Sequence, residues 1–190
     1  MVKEMRVTAR LLSDGLTEAE ASERILSDNL FQYPTEKNIK RSLTKSMERL
    51  NLLDSVELVS RIADENSEAT RQMCLYSMMK FSRLVWDFMV SVIGEKYRMQ
   101  DSVFGQEDIN VFFTRLREQD DAVASWSDRT IKEYKRIIIK SLVECGYLDG
   151  PDSARLNYIL IDPALERAIR ANGDSIALPA FNCLGGSYGT

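Results

Sequence analysis

The sequence of 190 residues contains no histidine, three cysteines, four prolines and nine glycines. The missing histidine excludes Ser-His-Asp and Cys-His catalysis, His-ligated zinc and histidine-based pH switching together. Cys74, Cys145 and Cys183 lie far apart with no C-x-x-C spacing, which removes a disulfide framework and a zinc knuckle. Three reduced, mostly buried thiols are the expectation. There is no Walker A loop and no Rossmann glycine pattern. The first ten residues have no apolar stretch of signal-peptide length, so the chain reads as cytoplasmic.

What is present is the composition of a globular protein, 44% hydrophobic and 28% charged, long enough to bury a core in one domain or two small ones. The formal net charge is -4. That sum does not decide against nucleic acid, because binding depends on where the charges sit. Met73 to Ile93 is apolar over a length close to a membrane span. It carries Lys80, Arg83 and Asp87, which share a helical stripe with Ser77 and Ser91. A charged stripe is expensive in hydrocarbon, so the segment reads as a central core helix and not as a membrane anchor.

Helical periodicity dominates the first hundred residues. Thr17 to Glu20 is a T-x-x-E capping box. Thr35 is placed to cap a helix over about 36–51, along which Ile39, Leu43, Met47 and Leu50 share one face. Asp54 is the expected cap of the next helix, and the long apolar region allows a break near Phe81. Further on, Gly105-Gln106 opens a helix, 118–121 reads as a loop, and Ser127 or Asp128 caps a helix ending at Gly146. Tyr147-Leu148, a turn at 149–152 and the β-prone run 157–161 suggest a short hairpin. Pro163 then opens a last helix, and 174–190 reads as a poorly ordered tail docked by Leu178 and Phe181. The expected fold is mainly α: a helical bundle with helix-turn-helix character and a C-terminal winged-helix-like module with a short β-hairpin. The expected domains are 1–100, 101–173 and the tail 174–190.

Catalytic motifs carry little. Gly185-Gly186-Ser187-Tyr188-Gly189 matches G-x-S-x-G, but a nucleophile elbow needs a flanking strand and helix and a histidine base. The S-x-x-K pairs at Ser42–Lys45 and Ser77–Lys80 are spacings that chance produces often. No metal ligand set, cofactor motif or catalytic residue is assigned.

The basic residues are more informative. On a helical wheel of about 100° per residue, Arg129, Lys132, Arg136 and Lys140 form one stripe opposite Ile131, Tyr134, Ile138, Leu142 and Cys145. Lys135 adds a further cation, and Glu133 interrupts the stripe. In a winged helix-turn-helix this is the helix that enters the major groove, where Lys and Arg bind phosphates and Arg reads guanine edges. On the earlier helix, Lys37, Arg41, Lys45 and Arg49 are spaced by four and make a second ridge, with Lys40 beside it. Two basic ridges predict contact with duplex DNA at more than one place and a steep salt dependence.

Three groups of residues, in order, resemble the BrxA family of bacterial BREX phage-exclusion systems. They are the run Phe31 to Arg41; Trp86 to Val90 with Glu95-Lys96-Tyr97 and Asp108 to Phe113; and Trp126 to Thr130 leading through the basic helix into Glu144 to Leu148. The resemblance spans about Val7 to Phe181. It implies a small, non-enzymatic, cytoplasmic antiviral-defence component, largely helical, that binds double-stranded DNA. The alternatives are an adaptor meeting other defence-system proteins and an RNA-binding protein similar to the antitermination factor NusB.

Overall fold

The structure is a computed structural model that describes residues 2–64 and 67–184. Among these the chain is mainly helical. The first half forms α1 (Val2–Ser13), α2 (Glu18–Ser27), α3 (Glu36–Asn51), α4 (Val56–Asp64) and α5 (Glu68–Phe81). There follow α6 (Arg83–Phe88), a π-helical turn (Met89–Ile93), α7 (Gly94–Arg98), α8 (Gln106–Gln119), α9 (Asp121–Ala124), α10 (Asp128–Glu144) and α11 (Pro163–Ala171). A 3-10 segment, Ser175–Phe181, comes last.

Contacts divide the chain into two compact units. One runs up to Arg83 and takes back Asp162–Asp174; the other holds Leu84–Ile161 and the segment from Ser175 onward. In the first unit, α1 packs on α3 and α4. Leu11, Ala21, Ile25, Phe31, Ile39, Leu43 and Met47 close one core cluster. The capping box forms as the sequence predicts: Thr17 Oγ1 accepts from Glu20 N at 3.3 Å, and Thr17 N donates to Glu20 Oε2 at 2.8 Å. Thr35 caps α3 by accepting from Asn38 N. The expectation for Asp54 is corrected. Its backbone is left-handed (φ 47°), and Ser55 Oγ accepts the Leu58 amide instead.

The charged stripe of the central segment is also corrected. Every residue from Met73 to Met79 is buried, Ser77 included. Ser82 adopts extended backbone (φ -132°, ψ 109°) and ends α5, so Ser77 and Lys80 do not continue onto a common helical face with Arg83, Asp87 and Ser91. Lys80 instead binds Asp174 at 3.0 Å. Among the described residues no helix is long and apolar enough to cross a membrane.

The second unit is built on aromatic contacts. Phe88 meets Phe104 and Phe112 edge-on at 6.4 and 5.1 Å, and Phe112 meets Phe113 at 5.4 Å. Residues 118–121 do not form the expected loop: α8 runs to Gln119, and the Asp120 carboxylate accepts from Ala122 N and Val123 N to start α9. The segment 175–181, expected in a poorly ordered tail, is a 3-10 helix packed against the π-helical turn and α7, with Leu178 and Phe181 buried.

The expected β-hairpin is absent, and with it the wing of a winged-helix module. No strand forms among the described residues, and the one isolated bridge is antiparallel, Val103 with Arg155. The reason lies in competing partners. Phe104 N donates to Ala154 O at 3.0 Å and Leu156 N to Ser102 O at 2.8 Å, so the chain before 157 pairs ahead of α8. Only Asn157 N reaches Tyr147 O, at 2.9 Å. The Tyr147 side chain is fully buried, its hydroxyl donating to Ala180 O at 2.9 Å. One bond does not propagate into a ladder.

Candidate nucleic-acid interface

The basic helix α10 owes its position to both ends and to one face. Ser127 Oγ accepts the Thr130 amide at 3.2 Å and fixes the first turn. Just before it, the Trp126 ring stacks on Tyr134 at 4.8 Å with planes 19° apart. Gly146 follows the helix at φ 81°, a left-handed conformation that glycine takes without a Cβ penalty. Ile131, Ile138 and Leu142 are buried and seat the helix on the unit. Their burial turns Arg129, Lys132, Arg136 and Lys140 outward, and all four are exposed.

Their partners differ. Arg136 forms a forked pair with Glu133, at 2.6 and 3.1 Å. That guanidinium holds the Glu133 carboxyl below its ordinary pKa, and the carboxylate in turn raises Arg136. Lys140 stands 3.8 Å from Glu144. Arg129 and Lys132 have no ion pair among the described residues. Lys135 does not join the stripe. Its ammonium donates to Asn110 Oδ1 of α8 at 2.6 Å and lies 5.6 Å above the Phe113 ring.

Lys135 therefore lines a groove of about 420 Å³ between α8 and α10, together with Lys132 and with Arg117 of α8. Arg117 was not singled out from the sequence. Within α8 it is one basic residue beside Arg115, and only the packing of two helices sets it opposite Lys132 and Lys135.

The second ridge belongs to α3, in the other unit. Lys37, Lys40 and Arg41 are exposed; Lys45 and Arg49 are partly covered. Lys40 is paired with Glu36, which lowers the Glu36 pKa through that hydrogen bond. The Lys45 pKa is lowered first by burial and then by the charges of Arg41 and Arg49, against the opposing pull of Glu48. Mutual repulsion among cations four residues apart is the electrostatic mark of the ridge. Arg49 lies 5.0 Å over the Phe81 ring, its apolar face used for packing.

The catalytic strings gain no support. Ser77 Oγ donates to Cys74 O at 2.8 Å while Lys80 turns to Asp174, so that S-x-x-K pair is not in contact. The G-x-S-x-G residues lie outside the described residues. Among those described, no group of three or more Cys, Asp or Glu could hold a metal ion. Cys74 and Cys145 are buried and in no disulfide, and Cys183 is half-buried.

A two-unit helical protein with capped, solvent-facing basic helices is the class these features define. The chain belongs to the BrxA family, whose sequence model matches residues 1–173. It is 34% identical over 174 residues to the BREX protein BrxA of Bacillus cereus (strain H3081.97), covering 91% of this chain and 86% of that one. The BREX protein BrxA of Escherichia coli O9:H4 (strain HS) is 28% identical over 174 residues, covering 91% and 81%. The fold is shared with a crystal structure of an uncharacterized protein from Magnetospirillum magneticum. The TM-score is 0.77 at 22% identity, over 95% of this chain and 92% of that one.

Proposed function

We propose that this BrxA-family chain is a non-enzymatic accessory protein of a BREX phage-defence system that binds double-stranded DNA in the cytoplasm through α10. The observation that carries the reading is the exposed row Arg129, Lys132, Arg136 and Lys140 on a helix whose opposite face is buried. α9, the short turn 125–127 and α10 follow one another as helix, turn and helix, and the Ser127 cap and the Trp126–Tyr134 stack hold the leading turn. Cations on such a face neutralise phosphates and release counterions. The α3 set Lys37, Lys40, Arg41, Lys45 and Arg49 supplies a second backbone contact. The absence of histidine supports a binding role over catalysis.

The test is an electrophoretic mobility shift with duplex DNA across a salt series. Binding at low salt that weakens steeply with salt, and is lost when Lys132, Arg136 and Lys140 become Glu, supports the reading. No binding at low salt, or binding that ignores the triple substitution, would falsify it. Competition by duplex RNA separates RNA recognition, since A-form RNA hides its major groove from a helix. A second reading, an adaptor for another defence protein, is favoured by Tyr158 and Leu160, which are 81% and 77% exposed on a segment outside the helices. Co-purification with a neighbouring defence component, lost on Tyr158→Ser with Leu160→Ser, supports it.

A further inference from the structure

We propose that the groove between α8 and α10 is a phosphate seat, anchored by Arg117, for the backbone of the duplex that α10 binds. The inference rests on the duplex-binding reading and extends it to a second helix. The two helices contribute facing walls. Asn110, Thr114 and Arg117 come from α8, and Lys132 and Lys135 from α10. The floor, Phe113 and Ile131, is buried and apolar.

The donors on these walls suit an acceptor-only ligand. Arg117 and Lys132 make no ion pair among the described residues, so both retain their full donor capacity. Lys135 is held in place by Asn110 Oδ1 at 2.6 Å, which uses one of its three protons and aims the ammonium along the groove wall. The Thr114 hydroxyl adds a neutral donor on an exposed position. A phosphodiester offers acceptors alone and matches this set. A base edge fits less well, because the lining is rich in donors over an apolar floor and offers few acceptors beyond Asp128 and Thr114.

Lys132 sets which phosphate is meant. It belongs both to the outward stripe with Arg129 and Arg136 and to the groove. A duplex lying along the stripe therefore presents its adjoining backbone to the groove, and Arg117 engages it from the far wall. Asp128 is the one acid among the lining residues and opposes the incoming charge. It gives the proposal a signature of opposite sign: neutralising Arg117 weakens binding, and neutralising Asp128 strengthens it.

The experiment is fluorescence anisotropy of the full chain with two duplexes of unrelated sequence over a salt series, folding being checked by circular dichroism. Arg117→Gln is expected to lower affinity several-fold on both duplexes. It also reduces the slope of log K against log salt by about one, the value for one lost phosphate contact. Asp128→Asn is expected to tighten binding on both. Arg115→Gln is the control, because it removes the same charge from the same helix outside the groove.

An Arg117→Gln variant that behaves like Arg115→Gln overturns the phosphate seat. If the triple stripe variant still abolishes binding in that experiment, the duplex reading survives alone. Failure of the wild-type chain to bind either duplex overturns both. Should Arg117→Gln instead remove binding of an acidic protein partner while leaving DNA binding unchanged, the groove belongs to that partner and the proposal falls.

Discussion

Asp162 holds Arg61 with both carboxylate oxygens, Oδ1 at 2.5 Å and Oδ2 at 3.0 Å, while Oδ1 also accepts the Ala164 amide at 2.8 Å as the N-cap of α11. One side chain thus starts the last helix and ties it to α4, and it is largely buried, with 14% of its side chain exposed. Asp162→Ala is expected to cost about 2 kcal/mol, the sum of a lost cap and a lost forked pair with partial screening. Asp162→Asn keeps a cap and costs less. Urea denaturation of the two variants checks the order; equal losses would show that the cap contributes nothing beyond the charge pair.

Gly94 faces the 3-10 segment. A Cβ there would lie 3.3 Å from Ala180 N, 3.4 Å from Met89 O and 3.4 Å from the Pro179 ring. Two of those atoms are backbone and the third is a rigid ring, so none gives way easily. Gly94→Ala is expected to destabilise by about 1–2 kcal/mol, as overpacking does. Hydrogen exchange across 175–181 should rise with it; unchanged protection there would contradict the account.

Two left-handed residues should respond oppositely to glycine. Gln100 (φ 54°) is exposed, whereas the Asn182 amide (φ 56°) donates to Ile159 O at 3.0 Å. Gln100→Gly relieves a steric cost and is expected to raise stability by about 0.5 kcal/mol after its entropic penalty. Asn182→Gly gains less relief, because asparagine tolerates the left-handed region, and loses a hydrogen bond worth about 1 kcal/mol. Thermal unfolding of the pair should move Tm in opposite directions.

High pH is expected to unfold the chain through its tyrosines. Burial raises the pKa of Tyr76, with the Asp174 carboxylate adding to it, and burial raises Tyr97 and Tyr147 as well. Groups whose folded pKa lies above the unfolded value of about 10 stabilise the fold fully below that pH and lose the contribution as pH rises through the folded values. Ultraviolet absorbance should show a late tyrosinate step coincident with loss of helical circular dichroism. Tyr147→Phe should lower stability at neutral pH by about 1 kcal/mol, because Ala180 O loses its donor. Early, independent ionisation of all tyrosines would refute the linkage.

Glu133 masks Arg136 through the forked pair. Glu133→Gln frees the guanidinium and removes the acid from the stripe, so duplex affinity at low salt should rise several-fold. Unchanged or weaker binding in the anisotropy assay counts against α10 as the contact helix.

Much of the helical architecture follows from local chemistry. Thr17, Thr35, Ser127 and Pro163 each begin the helix that their sequence position predicts. The apolar spacing of Ile131, Ile138 and Leu142 is enough to turn the α10 cations outward. These features depend on neighbours within one or two helical turns, where sequence and space coincide. The residues around Tyr147 did not behave so. A β-prone run forms strand only when a second chain segment offers a matching edge, and here 102–104 took the pairing just before it.

The sequence alone therefore determined that the chain lacks histidine chemistry, that it folds into capped amphipathic helices, and that its basic residues cluster although its net charge is -4. Only the tertiary structure decided that Asp162–Asp174 returns to the first unit, that Lys135 reaches Asn110 of α8, and that Arg117 faces it across a groove. Each of these depends on contacts between residues distant in the chain. Helical periodicity says which face a residue occupies, but not which other helix that face will meet.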